Sequence, residues 1–285
     1  MNKILTIHDA ENYDFKQKAK ISLGRFAAKT APRRVSQLMR SPLSAPRNFR
    51  DKTIMAFLKH QARLEQRTEF FEALHEDFWS GEGGDVFAEN CDHRFEQMFL
   101  SKQMADFEQL EKIWARKSPT QIVEFGCNSG LLLNYMVQRL PGIQSAVGID
   151  INRRQIERNQ QAAHFDPRIQ FLTSDGVDWV MENADTDTLF VTNGGVMEYF
   201  RRERLDQMLH HITTHLSPAI FFAIEPNAKD HDLDNDVRSI PFGEELSFSH
   251  NYKDLFESHG FNIAHQRATT FESWQMTATI AVTQN

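Results

Sequence analysis

Apolar residues along the chain follow two rhythms. Ile54, Phe57, Leu58 and Ala62, then Phe70, Leu74 and Phe78, recur at three- and four-residue steps, and Phe95, Met98, Phe99, Phe107, Leu110 and Trp114 continue the pattern. Such stripes predict amphipathic helices with one buried face between residues 51 and 117. "WSGEGG", residues 79–84, carries the turn chemistry that closes a helix. From residue 119 the texture changes. "TQIVEFG", "SAVGIDI", "RIQFLTSD", "DTLFVTNGG" and "AIFFAIEP" are short apolar runs, separated by helical stretches such as "SGLLLNYMVQRL", "NRRQIERNQQAAHF" and "RRERLDQMLHHITTHL". Strands alternating with helices predict βαβ units and a parallel sheet. "SFSHNYKDLFESHG" reads as a further helix closed by Gly260, before "FNIAHQRATT" and "WQMTATIAVTQ". Their short connection permits an antiparallel pair but no crossover.

Composition adds little to this picture, but charge changes it. The 285 residues are 40% hydrophobic and 25% charged, as in a soluble globular protein. No apolar run approaches the length of a bilayer span, and the first residues lack the order of a secretory signal. Cys91 and Cys127 are the only cysteines, which excludes a disulfide framework and makes a reducing cytoplasm the expected home. A formal net charge of −7 disfavours unspecific binding to a polyanion. Residues 15–50 nevertheless hold ten Lys or Arg and no Asp or Glu, leaving 22 basic against 39 acidic residues elsewhere. That segment either grips phosphates, acidic glycans or an anionic membrane, or docks on the acidic body of its own chain. Pro32, Pro42 and Pro46 are expected to break it into a loose connection. The expected organisation is a basic segment over 1–50, a helical cap over 51–117 and a sheet domain over 118–285.

The chemistry centres on "IVEFGCNSG", residues 122–130, between the first strand and its helix. Small residues there let backbone approach a ligand closely. Gly126, Asn128 and Gly130 do not make the spacing of a dinucleotide fingerprint, although Asp150, twenty residues after Gly130, could still reach a ribose. The Gly-Lys-Ser/Thr of a phosphate loop is absent as well. Glu124, Asp150 and Asp175 end, or follow, the first three strands. Three carboxylates suit a ligand with an ammonium group, a ribose diol and an adenine amine, all of them donors. A pyrophosphate would be repelled. Asp150 and Asp175 also suit the alternative role of helix N-caps.

This arrangement resembles the class I S-adenosylmethionine-dependent methyltransferases, whose loop runs acid-x-Gly-x-Gly-x-Gly where this chain has "EFGCNSG". The resemblance covers residues 119 to the end. It implies a Rossmann-like seven-stranded α/β sheet, mostly parallel with one antiparallel strand, behind an N-terminal helical cap. It implies S-adenosylmethionine as cofactor, with Glu124 and Gly126 beside the methionine part, Asp150 on the ribose hydroxyls, Ile151 on the adenine face and Asp175 on the adenine amine. Asn128 departs from the glycine pattern, but asparagine tolerates positive φ better than most residues.

The segment after the fourth strand should flank the reacting methyl group. Here it is "TNGGVMEYF", with Asn193 and Gly194 first. Enzymes that methylate exocyclic base amines carry Asn/Asp-Pro-Pro-Tyr/Phe there, so a nucleic-acid base is disfavoured. The run is closer to small-molecule and glycan methyltransferases. A hydroxyl acceptor needs a base, and Glu198, Tyr199, Glu225 and His231 are the candidates. "DHDLDND" departs from a calcium loop at Asn235 and Pro241, and no metal site is assigned. His211 and His215 lack the glutamate of a zinc-protease helix. "FAENCDHRFEQMF", with Asn90, His93 and Arg94, is a candidate lid or acceptor pocket. The expected activity is methylation of a small polar molecule, such as a sugar or natural-product hydroxyl. The alternatives are a macromolecular methyltransferase that grips RNA or protein through the basic arm, and a non-catalytic cofactor-binding module.

Overall fold

The computed structural model describes residues 14–40, 48–65, 67–88, 95–117, 119–243, 246–271 and 274–284. Nine strands occur in it: β1 Gln121–Phe125, β2 Ser145–Asp150, β3 Ile169–Thr173, β4 Thr188–Asn193, β5 Ala219–Ala228, β6 Ile240–Phe242, β7 Ser247–Ser249, β8 Phe261–Thr270 and β9 Trp274–Thr283. Seven of them form one sheet in the order β3-β2-β1-β4-β5-β9-β8, while β6 and β7 make a separate ribbon. β1 to β5 are parallel, and β9 runs against both of its neighbours.

Alternation along the strands divides the core in two. Ile122, Leu189, Val191, Ile220, Phe222 and Ile224 face one side, and Val123, Phe125, Phe190, Phe221 and Ala223 face the other. Helices cover both sides, which is why the central strands read as nearly unbroken apolar runs. The helices of this domain are α6 Met104–Lys117, α7 Leu131–Arg139, α8 Arg153–Gln161, α9 Gly176–Asn183, α10 Arg202–His215 and α11 Tyr252–Glu257. In a parallel sheet the loops after β1, β2, β3 and β4 gather at one edge, so the glycine loop, Asp150, Asp175 and Asn193 become neighbours.

Ahead of the sheet lie α1 Phe15–Thr30, α2 Pro32–Arg40, α3 Phe49–Leu64, α4 Thr68–Trp79 and α5 Glu82–Ala88, then a π-helical segment, Phe95–Gln103, that runs directly into α6. The expected loose basic segment is therefore largely helical. Asp14 and Gln17 close a capping box on α1, and Asn48 and Asp51 another on α3. Pro32 occupies the first turn of α2, where its missing N–H costs nothing. Leu38 of α2 shares an apolar cluster with Ile54, Leu58, Phe71 and Leu74 of α3 and α4.

Two further expectations change. "GEGG" opens α5 rather than only ending α4, and Gly84 allows that helix to approach α8: a Cβ there would lie 2.7 Å from Asn152 Nδ2. Of the helix expected over 247–260, only Tyr252–Glu257 forms, because Ser247–Ser249 is buried and pairs with β6.

Candidate functional site

The glycine loop turns through left-handed backbone at Gly126 (φ 69°), Asn128 (φ 44°) and Gly130 (φ 73°). Gly126 has no space for a side chain, since a Cβ would come within 2.4 Å of Val196. Asn128 is held from two directions. Its N–H donates to Asp150 Oδ2 at 2.9 Å, and its carbonyl accepts from Asn159 Nδ2 at 2.6 Å. Asn159 is itself oriented by Gln155, whose amide donates to it at 2.8 Å. Nothing in the sequence had drawn attention to this brace from α8.

Asp150 accepts a second backbone bond from Asn152 at 2.8 Å. Burial raises its carboxyl pKa, and the N–H donors of Asn152, Asn128 and Ile151 pull it back. Each carboxylate oxygen still has acceptor capacity for a ligand. Asp175 caps α9 by accepting from Val177 at 2.9 Å and Asp178 at 3.1 Å. It also accepts from Arg204 at 3.0 Å, so its carboxylate is already well partnered. Glu124 is buried on β1, and its Oε2 finds no partner among the described residues. Burial and the neighbouring Asp150 push its pKa well up. A cation placed beside it would favour the charged form again.

After β4 the chain turns at Gly194 and Gly195, with φ of 82° and 96°. The following turn is pinned from both sides. Glu225 Oε2 accepts the N–H groups of Val196 at 2.8 Å and Met197 at 3.0 Å. His250 Nε2–H donates to the Met197 carbonyl at 3.2 Å, and its Nδ1 accepts from Ser239 at 2.6 Å. Burial drives both groups towards neutrality: Glu225 is pushed up to about 7, and His250 down to about 3.

Two clefts meet at this edge. The first is the narrower, with a cavity volume of about 150 Å³. Asp150, Ile151, Asp175 and Arg204 line it, with Trp79 and His75 contributed by α4. The second, of about 520 Å³, lies on the α6–α7 side and is lined by Glu124, Cys127, Met98, Gln103, Trp274 and Met276 among others. Phe87, Gly126, Asn128, Asn193 and Gly194 line both. Gly130 stands at the N-terminus of α7, outside either lining.

The base candidates are separated. Tyr199 lines the first cleft, its ring 5.0 Å from His75 and 5.2 Å from Trp79. Glu198 is buried beneath Gly195, where a Cβ would come within 2.2 Å of its Oε1, and it lines neither cleft. His231 is buried as well, with Nδ1 on Ser249 Oγ at 2.8 Å, and is likewise absent from both linings. Glu225 serves the turn rather than a cleft. His211 and His215 stack on each other on α10. Among the described residues no group of three His, Cys, Asp or Glu is set to hold a metal ion. Of the candidate lid, Asn90, His93 and Arg94 lie outside the described residues.

The helical cap is expected from sequence, but the charges that dock it are not. Arg201 donates to Glu72 at 2.6 Å and pairs with Glu69 at 3.3 Å, and Arg204 joins Asp175, Asp178 and Glu72. These ion pairs draw α4, with Trp79 at its end, over the first cleft. The π-helical segment supplies Phe95, Gln97, Met98 and Gln103 to the second, a type of distortion often found at functional sites.

Comparison with known proteins agrees with this geometry. Residues 122–219 match the family model described as a methyltransferase domain. The fold is similar to the plantazolicin methyltransferase BpumL in complex with SAH, at 12% identity and a TM-score of 0.53, over 79% of this chain and 99% of that one. It is similar also to magnesium protoporphyrin IX methyltransferase (ChlM) from Synechocystis PCC 6803 with bound SAH, at 15% identity and a TM-score of 0.52, over 75% of this chain and 100% of that one. No curated protein matches the chain in sequence. The matched stretch, about a third of the chain, holds the glycine loop and the strand ends that carry Asp150, Asp175 and Asn193, and in sequence pattern and fold it is similar to a methyltransferase domain.

Proposed function

We propose that the chain methylates a small acceptor seated in the second cleft while the cofactor's nucleoside occupies the first. The observation that carries this reading is the shared rim: Phe87, Gly126, Asn128, Asn193 and Gly194 belong to both linings. The residues present fit the cofactor. Glu124 Oε2 and Asn128 Oδ1 are buried acceptors without a partner among the described residues, which suits an ammonium group. Asp150, Ile151 and Trp79 line the first cleft, where a carboxylate suits ribose hydroxyls and the two apolar side chains suit the base. When bound, S-adenosylmethionine supplies a methyl group on a sulfonium, open to in-line displacement by an acceptor lone pair. The chain's part is to hold the two ligands in register and keep water out, and positioning of this kind accounts for much of a displacement's acceleration.

Within this reading, the acceptor has an apolar body and a polar end. Leu131, Leu132, Ile224, Trp274 and Met276 give the second cleft an apolar wall, against which a sugar's hydroxyls would be poorly solvated. Arg267, held by Asp106, donates to Gln103 Oε1 at 3.4 Å, and Gln103 Nε2 has no partner among the described residues. That donor suits an oxygen on the acceptor. The test is transfer of isotopically labelled methyl groups into fractionated cell extract, with mass identification of the product. Label in an amphipathic small molecule supports the reading, and label in RNA or protein refutes it. Binding is checked separately. SAH at a hundred times its Kd should stabilise the protein by about 2.7 kcal/mol.

A further inference from the structure

Helix α1 turns one face to the protein and leaves the other to solvent. Gly24 is its one fully buried residue, and it lies so close to α3 that a Cβ would stand 1.9 Å from the Thr53 carbonyl oxygen. At about 100° per residue, Phe15, Ser22 and Phe26 fall opposite Gly24, with Leu23 beside them. Phe15 is 87% exposed, Phe26 71% and Leu23 55%; Phe49, which begins α3, is 74% exposed. Arg50 donates to Thr30, so the start of α3 adjoins the end of α1. Exposed basic residues border the apolar stripe, with Lys18, Arg25 and Lys29 along one side and Lys16 and Lys20 along the other.

We propose that this face binds an anionic lipid bilayer, with α1 lying in the headgroup plane. Exposed phenylalanine rings gain by entering the boundary between headgroups and acyl chains, and the flanking lysines gain from the negative surface potential. No acidic residue occurs between positions 15 and 50 to oppose the attraction, while the acidic remainder of the chain is repelled, which fixes the orientation. The two other obvious occupants fit less well. Duplex RNA, whose bases are already stacked on one another, would neutralise the lysines but leave the rings in water. A second copy docked face to face would bring like charges together. Among the described residues no helix is long and apolar enough to cross a membrane, so the attachment is peripheral. The inference does not depend on the methyl acceptor.

Flotation of the full chain with vesicles tests it. Vesicles of equal parts phosphatidylglycerol and phosphatidylcholine should bind the protein at least about tenfold more tightly than phosphatidylcholine alone, with the difference shrinking as salt is added. The double variant Phe15→Ser, Phe26→Ser should lose about tenfold in binding. Both positions face solvent, so its unfolding temperature and SAH binding should match those of the parent. Equal binding to the two vesicle types, binding to neither, or full binding by the double variant would overturn the proposal. So would single-stranded RNA that the double variant holds as tightly as the parent does, or a dimer that anionic vesicles fail to dissociate.

Discussion

At Asp150 one carboxylate steadies the glycine loop and faces the first cleft, so a substitution there is felt twice. Asp150→Asn removes the charge and sets an NH2 group against one of the two backbone donors, Asn128 or Asn152. The cofactor's Kd should rise by about thirtyfold, or about 2 kcal/mol, the scale of a lost charge-assisted hydrogen bond. Titration calorimetry with SAH reads this directly. Gly126→Ala meets both a left-handed φ and the Val196 side chain. It should lower stability by at least about 1–2 kcal/mol and weaken SAH binding together, as seen in urea unfolding with and without the ligand. Gly126, Asn128 and Asp150 were legible from sequence because their requirements are local: a strand end, a tight bend and a carboxylate after the next strand. Asp175 was only half legible. Its capping role follows from its neighbours, but its partnership with Arg204 arises from the packing of α9 on α10, which no local spacing records.

Among the elements, the turn at Met197–Tyr199 depends on two buried titratable groups whose pH responses oppose one another. Folding favours neutral Glu225, so its contribution is full below its unfolded pKa of about 4.5 and is lost as pH rises through about 7, a change on the order of 3 kcal/mol. Folding also favours neutral His250, so its contribution is present above about 6.5 and is lost as pH falls through about 3. Between pH 4.5 and 6.5 the two slopes act in opposite directions and largely cancel. Urea unfolding across that window should therefore show a plateau from this pair. Glu225→Gln should tilt it so that stability rises with pH, and His250→Asn should tilt it the other way. Ser247–Ser249, just before His250, is strand rather than the start of the expected helix, because "SFSHNY" is too short for its period to declare itself and burial with pairing to β6 decides the outcome.

Across the whole molecule, the cap and the sheet domain are joined by charge at a place where both ends of the joint matter. Glu69 and Glu72 on α4 meet Arg201 and Arg204 at the start of α10, and Arg204 also holds Asp175. These pairs are partly exposed, and each is worth about 1 kcal/mol or less. Arg204→Gln should accordingly speed hydrogen exchange in α4 by up to about fivefold, leave β1 to β5 unchanged, and reduce the effect of added salt on α4. The sequence announced both partners, since the apolar stripes and the alternating strands are strong periodic signals. It did not announce how they dock, because the charges responsible stand about 130 positions apart and look like any solvated surface pair.

The placement of the indole rings has a practical consequence. Of the four tryptophans, Trp79 lines the first cleft against Tyr199, and Trp274 lines the second, stacked on Phe271. Each compartment thus comes with its own native fluorophore. In Trp79→Phe, emission changes on titration would report arrival of the acceptor. In Trp274→Phe they would report the nucleoside, so the order of loading can be followed by stopped-flow with no added dye.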